Sequence, residues 1–299
     1  MSIRASILFF ISASLVVASF TTWAASADST RTDSSVSESN KRLRYLIAAE
    51  GIAYGGAMTA LYTTWYKDYP RSDFRVFNDN SEWMQMDKVG HFSSAYALAY
   101  WNSSLFRWAG LSNRQSAWAG AASSLFFLTS VEFFDAYSAE WGFSPGDVLS
   151  NTLGASLFLA QELAWNEQRF LMKFSYQQDP LSKQRPELFG SGLPEQVLKD
   201  YNGQTYWLSC NFKSIGLWKS APPWLNLALG YGASGMTGAY DGENRQRQLY
   251  LSPDVYWSRI PVKRKWQRTV LKILDVVKLP APALLWDSSG KTSFKGLAF

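Results

Sequence analysis

Apolar positions in the first half of the chain gather into four long stretches, at about 43–66, 87–108, 115–134 and 145–170. Each has the length and spacing of a helix rather than a strand. Short polar or turn-rich segments separate them, so the pattern predicts an antiparallel four-helix bundle occupying 42–176. Their lengths approach a membrane span, yet Ser, Thr, Ala and Gly dilute the apolar content and Glu50 interrupts the first stretch. Membrane-spanning and soluble readings both fit. Gly51, Gly55, Gly56, Gly120 and Gly154 would allow close helix contact in either case, and Tyr45, Trp65, Trp108, Trp118 and Trp165 near the ends suit a membrane interface or an aromatic core equally.

From 177 to 199 the chain turns polar around Pro180, Pro186 and Pro194, which predicts a linker. Beyond it, strand-like alternation covers 205–212, 224–240 and 248–260, with a turn at Asp241-Gly242-Glu243-Asn244. An amphipathic helix follows at 265–277 and stops before Pro280 and Pro282. The expected fold is therefore mainly α: a membrane-associated antiparallel four-helix bundle, then a smaller β-rich C-terminal region at 200–299 with one amphipathic helix. The chain ends on Phe299 with alternating apolar neighbours, as outer-membrane barrel strands do. Roughly five short strands fall below the eight that a barrel needs, so an ordinary edge strand is expected.

At the N-terminus, Arg4 precedes an apolar run over 7–20 and an Ala25-Ser26-Ala27 site, the pattern of a secretory signal peptide covering 1–27. An uncleaved signal anchor is the alternative. Residues 28–41 read as a flexible mature N-terminus. The expected location is the cell envelope: exported, periplasmic and membrane-associated. No cysteine follows the apolar run, so a lipid anchor is not expected, and the single Cys210 excludes an intrachain disulfide framework and a thiolate metal cluster. Net charge is +5, but Lys and Arg are scattered, so nucleic acid is not an expected partner. A membrane or envelope lipid is. A cleaved signal and the distribution of basic residues imply opposite orientations for a spanning bundle, and a bundle lying wholly in the periplasm removes the conflict.

The candidate chemistry lies where polar residues meet the apolar stretches. Asp87, Lys88 and His91, the only histidine, open the second; Glu132 and Asp135 close the third; Asp147 and Asn151 open the fourth. Spacings of four, three and four place Asp87 with His91, Glu132 with Asp135, and Asp147 with Asn151 on single helical faces. Antiparallel helices would gather all of them at one bundle end. Carboxylates with an imidazole suit a divalent metal, with His91, Glu132 and Asp135 as candidate ligands, or an acid and base whose pKa values burial separates. Lys88 and two helix N-termini would attract an anionic group such as phosphate. Each residue also has a structural account: Ser144 to Asp147 fit a capping box, Asp87 complements a helix dipole, and a lone His is commonly a hydrogen-bonded core residue. Glu132 and Asp135, at a helix C-terminus that disfavours anions, are the hardest to explain structurally. A serine hydrolase lacks its elbow motif, and Gly230-Tyr-Gly-Ala-Ser-Gly235 is strand-like with no following helix, unlike a nucleotide loop.

Residues 77–161 resemble the YfiM-like family of predicted envelope lipoproteins, a domain of unknown function. The resemblance rests on Phe77-Asn-Asp-Asn80, Glu82-Trp83, Asp87-Lys88, Gly90-His91, Glu132, Asp135, Trp141-Gly-Phe-Ser144, Gly146-Asp147, Asn151 and Gly154, and extends to Asp200-Tyr-Asn-Gly-Gln-Thr-Tyr-Trp-Leu-Ser209 and 224–231. More distantly, Asp-Lys-x-x-His, then Glu, then Asp-x-x-x-Asn-x-x-Gly is similar to the VanZ-like membrane proteins. The resemblance implies an envelope location and no established activity. The leading expectation is binding of an anionic envelope component such as a lipid-linked phosphate; the alternative is a metal-dependent or acid/base enzyme acting on such a lipid.

Overall fold

The computed structural model describes residues 33–299 apart from 68 and 243; the expected signal peptide lies outside the described residues. They form two compact units that interleave along the chain. One comprises residues up to 77, 98–143 and 155–166, and the other 78–97, 144–154 and 167–299.

Four long helices carry the first half: α1 Asp33–Leu61, α2 Met86–Ala109, α3 Asn113–Asp135 and α4 Pro145–Trp165. Helix α1 starts inside the segment expected to be a flexible N-terminus, where an i,i+4 pair between Glu38 and Arg42 and a hydrogen bond from Ser39 Oγ to the Ala109 carbonyl (3.0 Å) support it. In the first unit, Leu43 and Leu46 of α1 pack with Phe106, Ala109 and Ala119. A Cβ on Gly120 would stand 2.6 Å from the Ala99 carbonyl oxygen, so α3 lies in backbone contact with α2 there. Gly51, Gly55 and Gly56 face open space instead, since α1 turns that side outward. Among the described residues only α3 is long and apolar enough to cross a membrane.

Helix α4 ends before the expected 170. Asn166 takes a left-handed φ of 55°, and Phe170–Tyr176 becomes strand β1 because its alternating side chains pair with the next strand rather than continue a helix. The expected linker holds three short helices, α5 Pro180–Gln184, α6 Pro186–Phe189 and α7 Leu193–Lys199, each with proline in its first turn, where a missing N–H costs nothing.

Strands β1, β2 Gln204–Asn211, β3 Leu225–Ser234, β4 Gln246–Val255, β5 Ala281–Asp287 and β6 Thr292–Ala298 form one antiparallel meander in chain order, with helix α8 Lys265–Leu274 between β4 and β5. Trp207, Ala228, Ala283 and Ala298 share a core cluster on the sheet's inner face. Beside it runs a buried polar chain. Lys173 Nζ donates to Asp254 Oδ2 (2.8 Å) and to the Val255 carbonyl (2.6 Å), Ser209 Oγ donates to the same carboxylate (2.5 Å), and Asn226 Nδ2 donates to Ser209 Oγ (2.7 Å). Burial pushes the Lys173 ammonium's pKa down, against the pull of Asp254.

Candidate functional site

The second unit builds a polar cluster from two helix N-termini. Ahead of α2, a single 3₁₀ turn, Glu82–Gln85, places three consecutive non-glycine residues in the left-handed region: Trp83 (φ 47°), Met84 (52°) and Gln85 (64°). Such geometry costs about 1–2 kcal/mol per residue. The sheet holds it in place: the Trp83 N–H donates to the Ala239 carbonyl (2.9 Å), Tyr231 Oη donates to the Met84 carbonyl (2.5 Å), and Met84 and Met86 pack with Tyr206, Ala233 and Met236. Helix α2 then presents Asp87, Lys88 and His91.

Helix α4 supplies Asp147 and Asn151. Its cap is Ser144, whose Oγ accepts from the Asp147 N–H (3.1 Å) and donates to Asp79 Oδ1 (2.7 Å). Two glycines set the approach. A Cβ on Gly146 would lie 1.9 Å from Asn80 Oδ1, and one on Gly154 would lie 2.0 Å from the Phe92 carbonyl oxygen, so α4 meets the start of α2 backbone to backbone.

At the centre, the Lys88 ammonium reaches three carboxylates: Asp79 Oδ1 at 2.6 Å, Asp147 Oδ1 at 2.7 Å and Asp87 Oδ2 at 2.8 Å. Tyr201 Oη donates to Asp87 Oδ1 (2.8 Å). His91 Nδ1 stands 3.2 Å from Asn151 Oδ1; with that oxygen as acceptor, Nδ1 carries the hydrogen in the neutral ring. Its Nε2 then faces Asp87 Oδ1 at 3.7 Å and Asp147 Oδ1 at 3.8 Å, too far for hydrogen bonds. Asn151 Nδ2 is buried with no hydrogen-bond partner among the described residues. Ligand atoms of Asp87, His91 and Asp147 all lie within 4.8 Å of one another.

The carboxylates titrate apart. Burial opposes ionisation of Asp87, but His91 and Lys88 outweigh it and hold its pKa down to about 2. Burial and the Asp87 charge push Asp147 up to about 7 against the pull of His91 and Lys88. Burial disfavours the Lys88 ammonium, yet Asp87 and Asp147 carry its pKa above the usual lysine range.

Asp87, Lys88, His91, Asp147 and Asn151 thus come together within the second unit. Glu132 and Asp135 belong to the first, where Asp135 Oδ1 accepts from Tyr66 Oη (2.7 Å) and Glu132 is buried. Burial, with Asp135 beside it, raises the Tyr66 pKa above its usual range. Asp79, Ser144 and Tyr201 were not singled out from the sequence as site residues. All three belong to the Phe77–Asn80, Trp141–Ser144 and Asp200–Ser209 stretches that carry the family resemblance, and Ser144 is also the expected cap of α4.

Residues 74–161 match a family described as a predicted periplasmic lipoprotein (DUF2279). The match spans fewer than a third of the chain's residues but includes Asp79, Asp87, Lys88, His91, Glu132, Asp135, Asp147 and Asn151. No curated protein and no solved structure matches the chain. The family description agrees with an exported, envelope-associated protein.

Proposed function

We propose that the cluster is a divalent-cation centre held by Asp87, His91 and Asp147, through which the protein recognises an anionic envelope component such as a lipid-linked phosphate. The supporting observation is the imidazole: Asn151 Oδ1 stands beside its Nδ1, and its Nε2 lies 3.7 and 3.8 Å from carboxylate oxygens of Asp87 and Asp147, so that all three ligand atoms lie within 4.8 Å of one another. A ligating histidine fixed through its other nitrogen is the usual arrangement at a metal site. Lys88 cannot recruit the anion by itself, since three carboxylates surround its ammonium and leave the cluster with excess negative charge. When bound, a divalent ion would supply the positive potential and polarise a phosphate oxygen.

Here Asp87, His91 and Asp147 would hold the ion, while Lys88 and Tyr201 hold Asp87 in place and Asn151 sets the ring. A second reading, acid/base catalysis on such a lipid, is favoured by the separation of the two carboxylate pKa values, which leaves one ionised carboxylate beside one that keeps its proton near pH 7. Calorimetric titration of Zn(II) and Mn(II) into chelator-treated protein tests the centre. One site per chain is expected, with affinity lost in His91→Ala; no saturable binding would reject it.

A further inference from the structure

The sheet of the second unit reverses the usual distribution of polarity. An antiparallel sheet with one solvated face turns its leucines inward and its polar residues out. Here Leu208, Leu229, Leu251, Leu284 and Phe294 stand opposite one another from β2 to β6 in a single cross-strand row on the outer face, which Met84 and Met86 cover only at its Tyr206 and Ala233 end. Leu229 is 58% exposed and Phe294 68%, and only Leu251 in the row is half-buried. The inner face carries, beside the small Trp207–Ala228–Ala283–Ala298 cluster, the polar side chains of Lys173, Ser209, Asn226 and Asp254, all buried. Apolar out and polar in is the pattern of a sheet whose outer solvent is hydrocarbon.

Helix α8 supplies an independent observation in the same unit. Trp266, Val270 and Ile273, at i, i+4 and i+7, share one face and are exposed. Lys263, Arg264, Lys265, Arg268 and Lys272 flank them, and no acidic residue occurs from 261 to 274. The end of this segment is tied to β1: the Phe174 N–H donates to the Val276 carbonyl (2.9 Å) and the Lys278 N–H to the Phe174 carbonyl (3.0 Å). A basic helix with an exposed apolar stripe suits the interface of an anionic bilayer. A second copy of the chain would bring the same basic helix and the same net charge of +5 to the contact, so charge complementarity selects lipid.

We propose that the outer leucine row of the sheet and helix α8 form a membrane-docking surface for an anionic lipid bilayer. This surface lies outside the Asp87–His91–Asp147 cluster and does not depend on what that cluster binds. Flotation of the full chain with phosphatidylglycerol-containing and with pure phosphatidylcholine vesicles tests it. Lys265→Gln with Arg268→Gln should weaken binding to the anionic vesicles roughly thirty-fold and leave the neutral ones unaffected. Leu229→Gln with Leu284→Gln, on exposed positions that leave the interior intact, should weaken binding to both. The proposal is overturned if both variants float like the wild type, if the wild type stays in solution with both vesicles, or if the leucine variant instead converts a dimer to monomers without altering vesicle binding.

Discussion

Asp87 and Asp147, brought by two different helices, share one ammonium and one imidazole: Lys88 lies 2.8 and 2.7 Å from them, and His91 Nε2 3.7 and 3.8 Å. Two carboxylates this close ionise in separate steps, and each responds to pH with its own sign.

Asp147 is held up to about 7 from an ordinary 3.8, so between those values the folded protein keeps a proton that the unfolded chain releases. Its contribution to stability is full below about pH 4 and is lost as pH rises through 7. Asp87, held down to about 2, acts in reverse: its contribution is present above 3.8 and lost as pH falls toward 2. Thermal unfolding of wild type and Asp147→Asn from pH 5 to 8 should show the wild type losing stability relative to the variant. Glu50, which burial raises to about 7, is common to both and cancels. Parallel curves would contradict the assignment.

Lys88→Met removes the ammonium from among three carboxylates. Without added ion the variant should lose about 3–5 kcal/mol, the usual result of breaking a buried pair from one side. Its affinity for a divalent ion should rise, because the competing cation is gone. Calorimetry and unfolding with and without Mn(II) check both; a weaker ion affinity would show that Lys88 supports the ion rather than competes with it.

The helical half of the fold was legible because its four apolar stretches are long, despite Glu50 within the first, and α2 and α3 lie within a few residues of their expected ends. Strand β1 was hidden because Phe170 to Tyr176 is a short, largely apolar run that follows α4 after only four polar residues, Asn166 to Arg169, and only pairing with β2 reveals its period of two. Helical spacing put Asp87 with His91, and Asp147 with Asn151, on single helical faces, and the structure brings these side chains and Lys88 together. Tyr201 reaches Asp87 from 114 residues away, a contact that no local pattern encodes. Interleaved units were equally invisible, since two of their boundaries, at 97/98 and 154/155, fall inside α2 and α4.

Gly146→Ala and Gly154→Ala place a methyl 1.9 Å from Asn80 Oδ1 and 2.0 Å from the Phe92 carbonyl oxygen. Overpacking of this kind costs about 1–3 kcal/mol. Gly154→Ala should be the worse of the two, because backbone must move rather than a side-chain amide. Denaturant unfolding measures the order, and equal stability to wild type would deny the close helix approach.

Asp254→Ala leaves the Lys173 ammonium buried without its carboxylate and should cost about 3–5 kcal/mol. Lys173→Met combined with Asp254→Asn should recover much of that loss, since neither charge then stays uncompensated. A double variant no better than Asp254→Ala would show that the polar chain, rather than the charge pair, holds the sheet interior.

Glu132→Gln with Asp135→Asn should remain folded, within about 1 kcal/mol of wild type, because the amide oxygen at 135 still accepts from Tyr66. The proposed centre draws only on the second unit, so the ion affinity of this variant should match the wild type. A loss of affinity on calorimetry would add Glu132 and Asp135 to the ligand set.

The most direct test is equilibrium binding of a short-chain lipid phosphate, farnesyl phosphate in mild detergent, measured with Mn(II) and again with excess chelator. Cation-mediated recognition predicts binding that needs the ion and is lost in His91→Ala. Binding that survives the chelator and disappears in Lys88→Met would contradict it, and would place recognition on the lysine itself.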